Sequence, residues 1–374
     1  MITRRPLLVS PLLTPLLSSL TLTAPFARAA DTLQPRPLVF PRDHGSHNDT
    51  RTEWWYLTGQ ATDAQGRAFG FQVTFFRSRV EPAQALPGRL AARQLLFAHA
   101  AITDVAGQRL HHDQRIARWN GEPPTAAEGA VFASAQDMDV RIRDWHLQRR
   151  ADGGYRTQVV GEQLLIELDA ETPQAILLQG DKGWSRKGPD ADQASFYVTH
   201  PQLRVKGTLG LRGERFAITG TAWLDHEWSD ALLHPNAVGW DWIGMNLFDG
   251  HCVTAFQLRQ ADGSKLWAGG SFRAAGDAQQ PNEIYRFRPG EVDFRAQRWW
   301  TSPLTRTRYP VEWLIRTPAD FYTVRARVDA QELDSRASTG AIYWEGLSDL
   351  IDSNGRTVGS GYLEMTGYAK RLTL

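Results

Sequence analysis

Apolar and polar residues alternate with a period of two along much of the chain, as half-buried strands require. Phe71-Gln72-Val73-Thr74-Phe75 alternates, as do Val140-Arg141-Ile142-Arg143 and Val324-Arg325-Ala326-Arg327-Val328. Leu164-Leu165-Ile166-Glu167-Leu168 and Ile176-Leu177-Leu178 are more continuously apolar, which predicts burial on both faces. Turn residues separate the runs at hairpin spacing: Ala64-Gln65-Gly66, Ala106-Gly107, Asp152-Gly153-Gly154, Asp249-Gly250, Ala261-Asp262-Gly263 and Ser353-Asn354-Gly355. Only residues 84–94 and 230–234 carry a locally helical pattern. Residues 276–281 read as a surface loop. Many short strands joined by Gly and Asp turns predict an all-β protein of antiparallel sandwiches or barrels. No internal repeat stands out.

The first thirty residues belong to a different pattern. Arg4 and Arg5 precede an apolar stretch over residues 7–26, and Ala27-Arg28-Ala29 has the small-x-small form of a cleavage site. This predicts an export signal over residues 1–30, by the general secretory route or, given Thr3-Arg4-Arg5-Pro6-Leu7-Leu8, by the twin-arginine route. The expected location is the periplasm or the exterior. No later apolar run is long enough to span a bilayer as a helix. Asn48-Asp49-Thr50 is a glycosylation sequon that matters only in a eukaryotic secretory pathway.

Length and charge narrow the function. At 374 residues the chain has room for about two domains. The 42 Lys and Arg against 41 Asp and Glu leave a net charge of +1, without the basic excess of a nucleic-acid binder. The one cysteine, Cys252, excludes intrachain disulfides and Cys-based zinc sites. Tryptophan is abundant at 14 residues, and its large apolar area with one N–H suits both cores and binding pockets.

Three clusters carry candidate chemistry. The first joins His44 and His47 to Glu53-Trp54-Trp55-Tyr56. Strand alternation puts Glu53 and Trp55 on one face and Trp54 and Tyr56 on the other. The plainer alternative is a core strand with Glu53 satisfied by an arginine. His44 and His47 lack a clear third ligand, so no metal is expected. The second is the densest: Trp223-Leu224-Asp225-His226-Glu227-Trp228, then Trp240-Asp241-Trp242. A strand here pairs Asp225 with Glu227 on one face and His226 with Trp228 on the other. Carboxylates hemmed in by indoles have raised pKa values through desolvation. The alternative is a buried polar network at a domain junction. The third cluster, Tyr343-Trp344-Glu345-Gly346 with residues 359–368, reads as closing strands, with Glu345 or Glu364 as candidates for a pocket wall. No Gly-x-Ser-x-Gly elbow, phosphate loop or dinucleotide motif is present. Arg298-Trp299-Trp300 with Arg306 and Arg308 reads as a solvated strand face.

These motifs, from His44-Gly45-Ser46-His47 with Glu53-Trp54-Trp55-Tyr56, through residues 188–197, to Asp225-His226-Glu227-Trp228 with Trp240-Asp241-Trp242, resemble the carotenoid 1,2-hydratase family. It is also called the hydroxyneurosporene synthase or AttH-like family, and its secreted members carry the label of secreted hydrolases. The resemblance covers nearly all of the mature chain. It implies two lipocalin-like antiparallel β-barrel domains packed together, at residues 31–228 and 229–374, with an apolar site near their junction and no cofactor. It also implies catalytic roles for Asp225, His226, Trp228 and Asp241. Glu53, Trp55, Trp223, Trp240, Trp242 and Tyr343 are the expected ligand-binding residues.

Hydration of an alkene begins with proton transfer and so needs a protonated acid, an electron-rich wall for the cation and a path for water. An ordinary Asp is only about one part in a thousand protonated at pH 7. Raising its pKa by about three units takes roughly 4 kcal/mol of burial energy. The leading expectation is therefore an exported protein that binds an isoprenoid or other lipophilic ligand and carries out acid–base chemistry on it. The alternatives are a non-catalytic lipid carrier serving a membrane permease and a secreted hydrolase.

Overall fold

Hairpins dominate because the turn residues recur at close spacing. All six predicted turns join consecutive antiparallel strands. The computed structural model describes residues 33–124, 130–231, 233–277 and 283–372. The expected export signal lies outside the described residues, as does most of the loop expected at 276–281.

The first sheet contains β1 (Thr52–Asp63), β2 (Ala68–Arg79), β3 (Gln94–Asp104) and β4 (Arg109–Trp119). Short strands follow: β5 (Val131–Ala133), β6 (Asp139–Ile142), β7 (Trp145–Arg149) and β8 (Tyr155–Val160). Then come β9 (Leu164–Glu171), β10 (Leu177–Leu178), β11 (Trp184–Arg186), β12 (Ala194–Leu211) and β13 (Glu214–Ser229). The second sheet holds β14 (Gly239–Leu247), β15 (Cys252–Arg259), β16 (Lys265–Arg273), β17 (Ile284–Arg286) and β18 (Asp293–Thr301). It ends with β19 (Arg308–Arg316), β20 (Phe321–Ala326), β21 (Glu332–Ser335), β22 (Ala341–Ile351) and β23 (Thr357–Met365).

The fold is all-β, as the alternation predicts. The first sheet runs β4-β3-β2-β1-β13-β12-β9-β8-β7-β6-β5, and its end strands β4 and β5 approach one another, so it curls nearly into a barrel. The second runs β17-β16-β15-β14-β23-β22-β20-β19-β18. In each sheet the first strand pairs with the last, β1 with β13 and β14 with β23. Each sheet encloses its own core. Trp55, Phe71, Phe75, Trp145 and Ile166 are in the first, and Ile243, Val311, Trp344 and Leu363 are in the second.

Some local expectations are corrected. Residues 84–93 form turns, bends and irregular coil and Gln94 opens β3, and the described part of 230–234 is bend and coil; neither is a helix. Short 3-10 turns occur instead at Arg42–His44 and Glu81–Ala83. The strand Leu164–Glu171 is not buried on both faces. Leu164, Ile166 and Leu168 are buried, while Leu165 is half-exposed.

Outward faces of both sheets meet in a third apolar cluster. Tyr56 and Trp223 come from the first sheet; Trp242, Phe256, Leu347 and Tyr362 come from the second. Gly70 marks the close approach. A Cβ there would lie 2.8 Å from the Tyr362 hydroxyl and 2.9 Å from Leu347 Cβ, so a side chain would push the sheets apart.

Candidate active site

Period-two alternation sends the side chains of the Asp225–Trp228 run to two separate places. Register puts Tyr56 beside Asp225 and Trp54 beside Glu227 on one side. On the other side Trp55 lies beside His226 and Glu53 beside Trp228. The first set faces the junction between the sheets; the second faces the interior of the first sheet.

The interior set is a dense hydrogen-bonded cluster. Glu53 accepts from the backbone N–H of His47 at 2.9 Å and from Arg77 Nε at 2.8 Å. Its Oε1 lies 2.8 Å from His47 Nδ1 and 2.9 Å from His226 Nε2. His47 Nε2 in turn lies 3.0 Å from Asp43, which accepts from Arg36 and the Val39 N–H. Two indoles sandwich the histidines. His47 stacks on Trp228 at 3.7 Å, and His226 on Trp55 at 4.9 Å. Despite the desolvation of full burial, Arg77 and the histidines hold Glu53 well below the usual carboxylate range. Burial lowers the pKa of His226, so its Nε2–H donates to Glu53. Asp43 is also lowered: desolvation acts upward on it, and its bonds to Arg36 and His47 outweigh that.

His47, Glu53 and His226 bring ligand atoms within 4.8 Å of one another, the donor types of a metal site. Here both ring nitrogens point along hydrogen bonds at one oxygen of Glu53, and the Arg77 guanidinium holds the other. A divalent cation would sit against that buried cation, so the donor set fits a structural network better than a metal. The arginine partner considered for Glu53 in the sequence is Arg77. A cavity of about 320 Å³, lined by Arg36, Asp43, His47, Thr50 and Trp228 among others, opens beside this cluster.

The junction set is chemically different. Asp225 is buried and accepts from the Tyr197 hydroxyl at 2.8 Å and the Thr199 hydroxyl at 2.5 Å. Tyr197 also accepts from Trp242 Nε1 at 3.1 Å. Glu227 accepts from Ser195 at 2.5 Å and pairs with Lys187 at 2.9 Å. The Lys187 ammonium lies over the rings of Tyr197 and Phe256. From the second sheet, Glu345 and Glu364 stand directly opposite each other on β22 and β23, Glu345 buried and Glu364 half-buried against the junction. Tyr56 and Tyr343 lie against Glu345, and Trp240 lies against Glu364. Trp223 and Trp242 meet edge to face at 6.3 Å, and their rings fill the space that a side chain on Gly244 would need.

Desolvation dominates the acid–base character of this junction. It raises Asp225 to about 7, against the hydrogen bonds from Thr199 and Tyr197 and the nearby Trp223 indole. It raises Glu364 to about 8, and Glu345 well above the ordinary value with help from the Glu364 charge. Two carboxyls so placed cannot both ionise in a dry site. The Tyr56 hydroxyl, Trp223 Nε1 and Glu345 Oε1 are buried without a hydrogen bond of good geometry. Such unmet polar atoms are costly unless a ligand or water meets them.

The expected site residues therefore fall in three places. Asp225, Trp223, Trp240, Trp242 and Tyr343 come together at the junction. His226, Trp228, Glu53 and Trp55 form the interior cluster. Asp241 points into the second sheet's own interior. It pairs there with Arg259 at 2.9 Å and accepts from Gln257 and Tyr368. Tyr197, Thr199 and Lys187 were not singled out from the sequence. The alternation Ser195-Phe196-Tyr197-Val198-Thr199 was the available signal, since it aims three hydroxyls at one face.

The AttH-like family model matches residues 31–368. An AttH protein from Nitrosomonas europaea has a similar crystal structure: 42% identity, TM-score 0.81, covering 90% of this chain and 98% of that one. Kievitone hydratase from Nectria haematococca shares the fold at 14% identity and TM-score 0.67, covering 89% of this chain and 94% of its own. No curated protein matches the sequence at a significant level.

Proposed function

The chain belongs to the AttH-like family, and from that premise we propose that it takes a lipophilic alkene into the junction between its sheets and adds water to it. The observation that carries this reading is the junction itself: carboxyls from both sheets, Asp225 on one wall and Glu345 with Glu364 on the other, held among aromatic rings at raised pKa. The fold is also that of a hydratase, kievitone hydratase.

In this reading the glutamate pair donates. Glu345 and Glu364 keep a proton at neutral pH that an ordinary carboxyl would have lost. Transfer of that proton to one alkene carbon breaks the O–H bond and uses the π electrons to form a C–H bond. The other carbon becomes a tertiary cation. Trp223 and Trp242 supply the aromatic wall that stabilises it. Water attacks the cation, and Asp225, near half ionised at pH 7, takes the surplus proton. The alcohol leaves, and the proton on Asp225 returns to the glutamate pair, which closes the cycle without a net change in protons. Export by the predicted leader completes the proposal, as a protein acting outside the cytoplasm. No helix among the described residues is long and apolar enough to cross a membrane.

The test is incubation of the mature protein with a panel of isoprenoid alkenes in oxygen-18 water, followed by mass spectrometry. Labelled alcohol is expected with wild type and is lost in Asp225→Asn and Glu345→Gln. Ligand retained without label in every case would replace the enzyme by a lipid carrier.

A further inference from the structure

The stretch rich in arginine and tryptophan around β18 and β19 is divided by the structure. Arg298 and Trp300 turn inward: Arg298 pairs with Asp329 at 2.8 Å, and Trp300 packs on the core of the second sheet. Trp299, Arg306 and Arg308 face solvent. Trp299, at 45%, is the most exposed of the fourteen tryptophans, and Arg308 lies over its ring at 5.1 Å. At the turn between the two strands Leu304 is 69% exposed. β18 is the last strand of its sheet, so this hairpin stands at the sheet's edge.

A single exposed leucine needs no explanation. This one is held outward by a rigid turn. The Ser302 hydroxyl donates to Glu332 on β21 at 2.5 Å and accepts from the N–H groups of Leu304 and Thr305 at 3.1 Å. The Thr305 and Tyr309 hydroxyls donate to the other Glu332 oxygen at 2.6 and 2.9 Å. Charge on the hairpin has one sign. Residues 294–311 carry four arginines and no acid. Arg295 pairs with Asp293 and Arg298 with Asp329, but Arg306 and Arg308 have no ion pair among the described residues.

We propose that the β18–β19 hairpin docks the protein on bilayers that carry anionic phospholipids. Leu304 enters the acyl boundary, where its apolar surface leaves water. Trp299 settles at headgroup depth, the place an indole with one N–H prefers. Arg306 and Arg308 pair with lipid phosphates, drawn by the negative surface. A soluble polyanion would engage the arginines and leave Leu304 in water, so a bilayer accounts for more of the hairpin. The docking is independent of the chemistry at the junction.

The test is sedimentation of the mature protein with vesicles of phosphatidylcholine alone, or of phosphatidylcholine mixed equally with phosphatidylglycerol. Binding to the mixed vesicles is expected, weakening as salt is raised. Arg306→Gln and Arg308→Gln should each lower the affinity about fivefold. Leu304→Asp should abolish binding and leave the melting temperature unchanged, because the side chain is exposed. Leu90→Asp is the control: Leu90 is 77% exposed in the loop between β2 and β3, and its change should leave binding intact. Cys252 is buried, so a polarity-sensitive dye on Leu304→Cys reports the hairpin turn, and its emission should shift to the blue on mixed vesicles. Absence of binding, equal binding to both vesicles, or binding unmoved by Arg306→Gln and Leu304→Asp would overturn the proposal. So would retention on a heparin column, lost in Arg306→Gln, without vesicle binding; that result would give the face to a soluble polyanion.

Discussion

Asp225 and His226 are consecutive, yet their side chains never meet. Asp225 enters the junction, bound to Tyr197 and Thr199, while His226 enters the interior of the first sheet and donates to Glu53. One residue of strand separates a candidate base from a structural network. The two should respond to substitution in opposite ways.

Asp225→Asn keeps the shape and leaves the hydrogen-bonding hydroxyls in place, but removes the proton acceptor. Turnover of a hydrated alkene is expected to fall by about 10²–10⁴-fold, the usual contribution of a general acid or base. Thermal unfolding of the variant should stay close to wild type.

Glu53→Ala should act on stability first. It strips Arg77, fully buried, of its carboxylate and leaves His47 and His226 without their shared acceptor. Breaking a buried pair from one side typically costs about 3–5 kcal/mol, and urea unfolding would show it. A variant as stable as wild type would mean that Glu53 is not the centre of this network.

Asp241→Asn distinguishes the second interior from the junction. It removes the charge opposite Arg259, which lies over the Tyr368 ring. A loss of about 3 kcal/mol is expected. Turnover per folded molecule should remain near wild type, because Asp241 faces away from the two acidic walls. A selective loss of turnover would place Asp241 in the chemistry.

The acid pair also sets a pH dependence of stability. Glu345 and Glu364 have folded pKa values above their unfolded ones. Their favourable contribution is complete below about pH 4 and is lost as pH rises toward the folded values, about 8 for Glu364. The buried histidines His44, His99 and His200 are lowered by burial, so they act in the other direction, with stability lost as pH falls below about 6.5. The melting temperature should peak on the acid side of neutral. Glu364→Gln should gain on wild type steadily from about pH 5 to pH 8, measured by calorimetry at each pH. A constant difference between the two across that range would mean that Glu364 ionises normally.

What the sequence determined is local. Period-two alternation separated Glu53 and Trp55 from Trp54 and Tyr56, and Asp225 from His226, because successive side chains on a strand must point to opposite faces. Turn residues located the hairpins, since Gly adopts positive φ at little cost and Asp bonds the nearby backbone in a tight turn. The Leu164–Leu168 run shows the limit. Its apolar character suggested two buried faces, but Leu165, Glu167 and Asp169 on its outer face are only half-buried. Pairings far apart in sequence were decided by tertiary structure alone: β1 against β13, β14 against β23, Arg77 against Glu53 and His99 against Tyr343. So was the choice of which face looks into the junction. Asp225, Glu345 and Glu364 are ordinary carboxyls in the sequence. They become acids of raised pKa only when two sheets close over them and remove the water that would stabilise their charge.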